Sequence, residues 1–241
     1  MDKRIAFITA GGHGERMHEQ TPKQFLALYD VPIIVHTLMK FEQSDSIDVI
    51  LVVCLSGWVE QLKEMAAKYK ITKLVAVVEG GSNSQESIYN GVKYLLDNGY
   101  DSDDIVMVHE SVRPFITGKI ISDNINTCME KGNAVTVIRG NESYLFSENA
   151  ISSDKHFMRE SMYMVQTPQT FRLGIIYKAI EEAKEKGILS QSLYILMSQL
   201  NYTPLYLVDG DRFNLKLTYP EDLRIFELII SETHKYSLMG E

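Results

Sequence analysis

Short runs of β-branched residues alternate with longer amphipathic stretches through the first part of the chain, and this alternation constrains the fold more than any other feature. Such an order predicts βαβ units whose strands form a mostly parallel sheet. The predicted strands are Ile5–Thr9, Asp48–Leu55, Lys73–Val78, Ile105–Val108 and Ala134–Ile138. The predicted helices are Pro32–Phe41, Trp58–Tyr69, Gln85–Leu96 and Ile120–Met129. We therefore expect an α/β fold with a Rossmann-like, mostly parallel twisted sheet flanked by helices.

The alternation breaks after the fifth predicted strand. The segment 141–161 is polar and has no long periodicity, which predicts a protruding β-arm at about these residues. Regular structure resumes near Tyr163 with helices at 173–186 and 190–200, a strand at Pro204–Val208 and a last helix that opens near Pro220. Because no linker or repeat divides the chain, we expect a single domain over residues 1–241.

Composition excludes several classes of function. The 241 residues carry a formal net charge of −8, which disfavours nucleic acid as a partner because phosphate backbones attract basic surfaces. The apolar run Ile5–Ala10 is too short for a signal sequence or a membrane span. The two cysteines, Cys54 and Cys128, lie in apolar or helical contexts and are expected to be buried thiols. A cytoplasmic protein without membrane contact is the expectation.

A glycine-rich stretch, Ala10–Met17, follows the first predicted strand directly. Glycines let backbone N–H groups approach phosphate oxygens, and Arg16 and Lys23 supply cations for a triphosphate. The stretch is not a P-loop, because Glu15 follows its last glycine instead of lysine. It is also not a dinucleotide fingerprint, because the second predicted strand ends without a carboxylate. Phosphate binding and a plain strand-to-helix turn both remain open from these residues alone.

Three further segments carry polar side chains of interest. Glu110 follows the fourth predicted strand, where a carboxylate can hold Mg²⁺ that bridges phosphates or can be incidental to a surface turn. His109 is expected to be a packed, hydrogen-bonded side chain instead of a catalytic base. Lys216 lies between apolar neighbours and is either an edge-strand charge or a site residue. Residues 166–171 are interpreted as a rigid turn around Pro168.

Taken together, these segments resemble the family of CTP-dependent cytidylyltransferases that make CDP-methylerythritol and CDP-ribitol. The resemblance covers the chain from Ile8 to about Leu223, with a mild preference for the ribitol-phosphate branch. The segments that carry it are Gly-x-Gly-x-Arg-Met at 12–17, Pro22–Phe25, Ser87–Gly91, Val112–Phe115, Gln166–Gln169 and Pro220–Leu223.

The resemblance implies a role for each candidate residue. The implied catalytic cations, which would grip the triphosphate, are Arg16, Lys23 and Lys216. The implied nucleotide-binding residues are Ala10, Gly11, Gly12, Gly14, Gly80, Gly81, Ser87 and Glu110, with Glu110 also holding Mg²⁺. The implied acceptor-binding residues are Arg113, Glu142, Ser143 and Arg159, with Arg159 reaching a neighbouring subunit from the 141–161 arm. The implied partners are therefore CTP, a polyol phosphate and a second copy of the chain in a homodimer.

The chain also departs from the family pattern. Glu110 stands where the family has aspartate, Ser84 stands where it usually has arginine, and Gln191–Leu193 replaces a late Thr-Asp-Asp motif. These changes leave alternatives open: a non-catalytic nucleotide-binding relative, a 2-C-methyl-D-erythritol 4-phosphate cytidylyltransferase, or a sugar-1-phosphate nucleotidyltransferase that uses UTP or GTP. The acceptor and the pathway, whether cell wall, capsule or isoprenoid, also stay open.

Overall fold

The computed structural model of the chain describes residues 2–12 and 21–238, and side chains up to Ser231. In chain order the strands are β1 (Arg4–Ala10), β2 (Ala27–Leu28), β3 (Val31–Pro32), β4 (Val49–Cys54), β5 (Leu74–Glu79), β6 (Ile105–Glu110), β7 (Asn133–Arg139), β8 (Leu145–Phe146), β9 (Lys155–His156), β10 (Tyr163–Arg172) and β11 (Leu207–Asp209). The helices are α1 (Ile33–Glu42), α2 (Val59–Lys68), α3 (Ser84–Asp97), α4 (Gly118–Lys131), α5 (Leu173–Glu185), α6 (Leu193–Gln199) and α7 (Pro220–Leu238). Short 3₁₀ helices form at Lys23–Phe25 and Arg159–Ser161.

A seven-stranded sheet forms the centre, in the order β11-β7-β10-β6-β1-β4-β5. Every strand runs parallel except β10, which is antiparallel to both β6 and β7. The chain moves outward from β1 to β4 and β5, then crosses back to β6 on the other side of β1. This reversal leaves a crevice beyond the carboxyl ends of β1 and β6, where ligands bind in sheets of this kind. The predicted α/β fold with a mostly parallel sheet is confirmed.

Apolar side chains cover both faces of the sheet. Successive residues of β1 point to opposite sides, so that Ala6 and Ile8 belong to one core cluster while Ile5 and Phe7 belong to the other. The first cluster includes side chains of α1, α2 and α4, and the second includes side chains of α3, α5 and α6. Helix α3 approaches β1 closely because Gly91 has no side chain; a Cβ atom there would lie 2.4 Å from the Phe7 ring. These layers fix the sheet edge that carries the polar residues.

One sequence-based interpretation of the later part of the chain was wrong, and one predicted strand has other bounds. Residues 166–171 are not an isolated turn but belong to β10, which is irregular between Val165 and Gln169 and has a cis Thr167–Pro168 bond. Proline is tolerated there because it lies at an irregularity of the ladder, where a backbone donor is not required. The strand predicted at Pro204–Val208 lies at Leu207–Asp209 instead.

The segment 141–161 contains a small two-stranded antiparallel sheet, in which Leu145 faces His156 and Phe146 faces Lys155. It leaves the central sheet after β7 and returns into β10, and the Gly140 N–H donates to the Met162 carbonyl oxygen across its base at 3.1 Å. Whether this segment is an arm that crosses to a second protomer stays a prediction. Within residues 2–12 and 21–238, no helix combines the length and the apolar character that crossing a membrane requires.

Candidate active site

A cavity of about 610 Å³ opens at the carboxyl edge of the central sheet, beside the ends of β1 and β6. The candidate residues that line it are Ala10, Gly11, Gly12, Lys23, Gly81, Ser87, Glu110 and Lys216. These residues come from separate parts of the chain, and the fold brings them to one edge because parallel strands end there together. In the register of β1 and β6, Thr9 is paired with Glu110. Gly14 and Arg16 lie outside the described residues.

A second cavity of about 430 Å³ adjoins the first. Its wall includes Arg113, Gln166, Thr167 and Gln169, and it shares Glu110 and Lys216 with the larger cavity. Two ligands that occupied the two cavities would therefore meet beside one carboxylate and one ammonium group. We refer to Glu110 and Lys216 as the shared wall of the candidate site.

Lys23 is placed by a short 3₁₀ helix that begins after Pro22. Its side chain is only 9% exposed, and its Nζ donates to the backbone oxygen of Leu217 at 2.7 Å. A buried ammonium group keeps much of its field, because little water surrounds it to screen the charge. Lys23 can therefore act on an anion in the larger cavity over a short range.

Gln24, which sequence reasoning left without a role, holds the first, described residues of the glycine-rich stretch. Its Nε2 donates to the carbonyl oxygen of Ala10 at 2.8 Å and to that of Gly12 at 3.1 Å, and the side chain is 1% exposed. Because these two carbonyl groups are fixed, Gly11 and Gly12 are held on the wall of the larger cavity. The signal in the sequence was the place of Gln24 in Pro22–Phe25, one of the segments that carry the family resemblance.

Glu110 lies between two cations. Its Oε2 accepts from Arg113 Nε at 2.7 Å, and its Oε1 accepts from Lys216 Nζ. The Glu110 side chain is 23% exposed and that of Arg113 is 12% exposed. Burial by itself would raise the pKa of Glu110, but the charges of Arg113 and Lys216 outweigh it and hold the pKa at about 2. Glu110 is a carboxylate throughout the physiological pH range.

The location of Lys216 favours one of its two interpretations. It lines both cavities and contacts Glu110, and its segment is not a strand, which favours a role in the site. The segment that carries it is fixed by backbone contacts, including the Leu217 N–H donating to the Val112 carbonyl oxygen at 3.0 Å. Lys216 and Lys23 therefore reach the same cavity from different segments.

The loop before α3 forms the opposite wall. Ser87 Oγ accepts from the Gly81 N–H at 3.0 Å and donates to the Asn83 carbonyl oxygen at 2.8 Å, so one hydroxyl ties the loop to the helix. The Asn83 side chain caps the helix by accepting from the Glu86 N–H at 2.9 Å. Gly80 lies behind this wall, where its N–H donates to the Cys54 carbonyl oxygen at 2.7 Å. Ser84 also lines the cavity.

The predicted acceptor residues divide into two groups. Arg113 lines the smaller cavity, whereas Glu142, Ser143 and Arg159 are exposed on the segment 141–161 and line neither cavity. The chain therefore brings only Arg113 to the site from within one protomer. The predicted role of Arg159 is in a neighbouring protomer's site, and it stays a prediction.

His109 and the two cysteines behave as expected from the sequence. His109 is fully buried, and Cys54 and Cys128 are buried free thiols. Burial raises the pKa of Cys54 to about 11 and that of Cys128 to about 12, which keeps both thiols protonated. None of these three side chains lines the two cavities.

The stability of the protein should depend on pH through His109. Burial lowers the pKa of His109 from 6.5 to about 4, so the unfolded chain takes up a proton below about pH 6.5 while the folded protein does not. Stability is therefore lost as the pH falls from 6.5 toward 4, by about 2 kcal/mol between pH 7 and pH 5. Urea unfolding of the wild type and of His109→Gln at both pH values measures how much His109 contributes to this pH dependence of the free energy of unfolding. Glu110 does not interfere, because its contribution is lost only below about pH 4.5. An equal pH dependence in both proteins would contradict the assignment.

Comparison with known proteins gives a consistent result over nearly the whole chain. Residues 5–232 match the family model described as IspD: 2-C-methyl-D-erythritol 4-phosphate cytidylyltransferase. The chain is 38% identical over 232 residues to a ribitol-5-phosphate cytidylyltransferase of Lactiplantibacillus plantarum, covering 94% of this chain and 98% of that protein. It is 36% identical over 230 residues to a protein of the same description from Lacticaseibacillus paracasei, covering 94% and 97%.

The fold is also similar to solved structures. The 4-diphosphocytidyl-2C-methyl-D-erythritol synthase from Anaerococcus prevotii superposes with a TM-score of 0.82 at 22% identity, covering 95% of this chain and 99% of that one. At this identity the likeness shows the fold alone. The sheet and its flanking helices therefore form the same fold as that solved structure.

Proposed function

The chain belongs to the family of 2-C-methyl-D-erythritol 4-phosphate cytidylyltransferases, and from this premise we propose that it transfers CMP from CTP to ribitol 5-phosphate. The products would be CDP-ribitol and pyrophosphate. Family membership and the curated relatives make it a nucleotidyltransferase that uses CTP and a polyol phosphate. The choice of ribitol 5-phosphate is supported by the relatives of that description, which are 36% and 38% identical.

The observation that carries this proposal is the pair of adjoining cavities with a shared wall at Glu110 and Lys216. CTP would occupy the larger cavity, with its phosphates near Lys23 and Lys216. The acceptor would occupy the smaller cavity, beside Arg113. Its phosphate oxygen and the α-phosphorus of CTP would then meet at the shared wall.

The reaction would be an in-line displacement. An oxygen of the acceptor phosphate forms a bond to the α-phosphorus, while the bond from that phosphorus to the bridging oxygen of the β-phosphate breaks. The electron pair leaves with pyrophosphate. The nucleophile is already ionised near neutral pH, so the step needs no general base, and catalysis rests on positioning and on stabilisation of charge. Lys23 and Lys216 are the described side chains that would supply this stabilisation.

The site residues are compatible with Mg²⁺ that arrives with the nucleotide. No group of three or more His, Cys, Asp or Glu side chains suited to a metal lies among the described residues. Magnesium, however, is commonly bound by one or two carboxylates together with substrate phosphates. A carboxylate offers about four acceptor sites, and the contacts of Glu110 with Arg113 and Lys216 use one on each oxygen. Glu110 would hold the ion, which would neutralise charge on the phosphates.

A homodimer is also part of the proposal. The segment 141–161 exposes large apolar side chains, which is a feature of surfaces that bind other proteins. The most exposed are Leu145 (75%), Ile151 (90%) and Met158 (64%). A second copy of the chain would cover them and would receive Arg159 beside its smaller cavity.

The proposed activity is tested by pyrophosphate release with each of four nucleoside triphosphates and with ribitol, methylerythritol and glycerol phosphates. We expect turnover with CTP, and the highest kcat/KM with ribitol 5-phosphate. A preference for methylerythritol 4-phosphate would reassign the acceptor. Binding of CTP without turnover on any acceptor would favour a non-catalytic relative, and a preference for UTP or GTP would favour a sugar-1-phosphate nucleotidyltransferase.

Replacing Arg159 by alanine should raise KM for the acceptor by roughly 10- to 100-fold, because a charge-assisted contact to its phosphate would be lost. The affinity for CTP, measured by calorimetry, should not change. Lys155→Ala is the matched control, since Lys155 is a cation on the same segment whose Nζ contacts Glu148 at 2.7 Å. An equal loss of acceptor and CTP binding would count against the assignment of Arg159.

A further inference from the structure

The turn that follows Glu110, residues 111–113, is held at each of its three carbonyl groups. The Ser111 carbonyl oxygen accepts from Thr37 Oγ at 2.7 Å, and the Val112 carbonyl oxygen accepts from the Leu217 N–H at 3.0 Å. The third carbonyl group, that of Arg113, faces Nε2 of His109 at 3.1 Å. The imidazole therefore holds the end of the turn from which the Arg113 side chain returns to Glu110.

The hydrogen-bond partners of His109 determine where its proton lies. A carbonyl oxygen can only accept, so Nε2 must carry hydrogen and donate to Arg113. The other nitrogen, Nδ1, lies 3.1 Å from Thr167 Oγ. That oxygen accepts from the Glu110 N–H at 3.2 Å and can donate its own hydrogen to Nδ1. A neutral imidazole with its proton on Nε2 satisfies every partner.

Two further hydrogen bonds complete a closed ring of contacts around Glu110. Arg113 Nη1 donates to the Asn214 carbonyl oxygen at 2.7 Å, and Asn214 Nδ2 donates to the Thr167 carbonyl oxygen at 2.9 Å. Thr167 in turn contacts His109, and His109 contacts the Arg113 backbone. His109 and Asn214 are both fully buried, so water does not reach these two side chains.

We propose that His109 is a positioning residue: with its proton on Nε2, it fixes the Arg113 carbonyl group and thereby sets where Arg113 and Glu110 present their charges to the two cavities. His109 lines neither cavity and has no exposed surface, so it does not act on a substrate directly. Partners that orient a ligand residue in this way affect metal affinity or activity by about 10- to 100-fold when they are removed. The functional part of this inference rests on the proposed cytidylyl transfer.

The first test needs no activity. In ¹⁵N-histidine-labelled protein without metal or nucleotide, long-range ¹H–¹⁵N correlation spectra report the tautomer of each imidazole, and His109→Gln assigns the His109 signals. We expect the neutral Nε2–H form at pH 7. An Nδ1–H form would overturn the inference, because its Nε2 has no hydrogen to donate to the Arg113 carbonyl oxygen. A charged ring would overturn the assignment of a neutral imidazole, because its Nδ1 could not accept from Thr167 Oγ.

The second test separates the two bonds of His109. The Nε2 of glutamine lies as many bonds from Cβ as Nε2 of histidine, so His109→Gln can still donate to Arg113 but loses the acceptor for Thr167. Asparagine reaches only as far as Nδ1, so His109→Asn can keep the contact with Thr167 but loses the donor to Arg113. The contact with Arg113 is the one that the inference requires.

We therefore expect His109→Asn to need roughly 10- to 100-fold more Mg²⁺ for half-maximal turnover, with His109→Gln close to the wild type. Mn²⁺ binding to the CTP-loaded protein, followed by electron paramagnetic resonance, should be weakened in His109→Asn and nearly unchanged in His109→Gln. Ile125→Ala, a core truncation in α4 away from the cavities, controls for lost stability. Equal effects of the two His109 variants would overturn the inference. Absence of turnover in the wild type would instead refute the proposed function, and the tautomer measurement would still test the geometry.

Discussion

Lys23→Met is expected to lower kcat by roughly 100- to 1,000-fold, as removal of a single preorganised charge-stabilising group does in other enzymes. Methionine keeps much of the length and packing of the lysine side chain, so the change removes mainly the charge. Lys23 is 9% exposed and lies on the wall of the larger cavity, where water screens it little. Pyrophosphate release under saturating CTP and acceptor measures the effect.

The physical reason is that Lys23 would act on charge that grows as the bond to the leaving pyrophosphate breaks. An interaction made mainly in the transition state affects kcat more than KM. Lys93→Met is a suitable control, because Lys93 is an exposed lysine of α3 that contacts Asp97 at 2.8 Å. Turnover of Lys23→Met close to that of the control would refute the role of Lys23.

Glu110→Gln is expected to have the next largest effect, a loss of turnover of about 100-fold. Glutamine has nearly the same shape, but it leaves Arg113 and Lys216 without their shared counter-charge and weakens any contact with Mg²⁺. Because Glu110 is 23% exposed, water would offset part of the loss of stability, and we expect about 1–2 kcal/mol, less than for a fully buried ion pair. Turnover, Mn²⁺ binding and urea unfolding together separate the two effects.

Two variants sharpen the interpretation of Glu110→Gln. Glu110→Asp keeps the charge on a shorter side chain. It should retain much of the activity, because the family pattern has aspartate at this position. Asp48→Asn is the stability control. Asp48 directly precedes β4 and forms a comparable ion pair with Arg4 at 2.6 Å, and it lines neither cavity. A loss of turnover in Asp48→Asn equal to that in Glu110→Gln would mean that lost stability explains both.

The sequence was informative wherever local pattern and tertiary structure agree. The apolar runs at β1, β4, β6 and β7 are largely buried, so their hydrophobic composition identified them. The edge strand β5 is only partly buried, but its apolar residues identified it as well. The rule that parallel strands end at one edge then placed Glu110 near the glycine-rich stretch. For Lys23, the neighbouring residues indicated a phosphate contact, and the structure places it on the cavity wall.

Elsewhere, long-range contacts determine the structure, and the local sequence pattern does not predict it. Polar residues and Pro168 suggested a turn, but β10 is held as a strand because it completes the sheet between β6 and β7. Lys216 stayed ambiguous because its segment is neither helix nor strand and is placed by hydrogen bonds to distant residues. Asn214, the most connected residue of that segment, could have been suspected only from its position beside Lys216.

The antiparallel course of β10 has a consequence for how proteins of this kind can diverge. The chain leaves the sheet at Arg139 and re-enters it at Tyr163, and these two residues are paired. Segments between paired ends can change length at small entropic cost, and here no ladder of the central sheet would be altered. Residues 141–161 could therefore be lengthened or shortened without a change in the register of the central sheet or in the lining of either cavity of the same protomer.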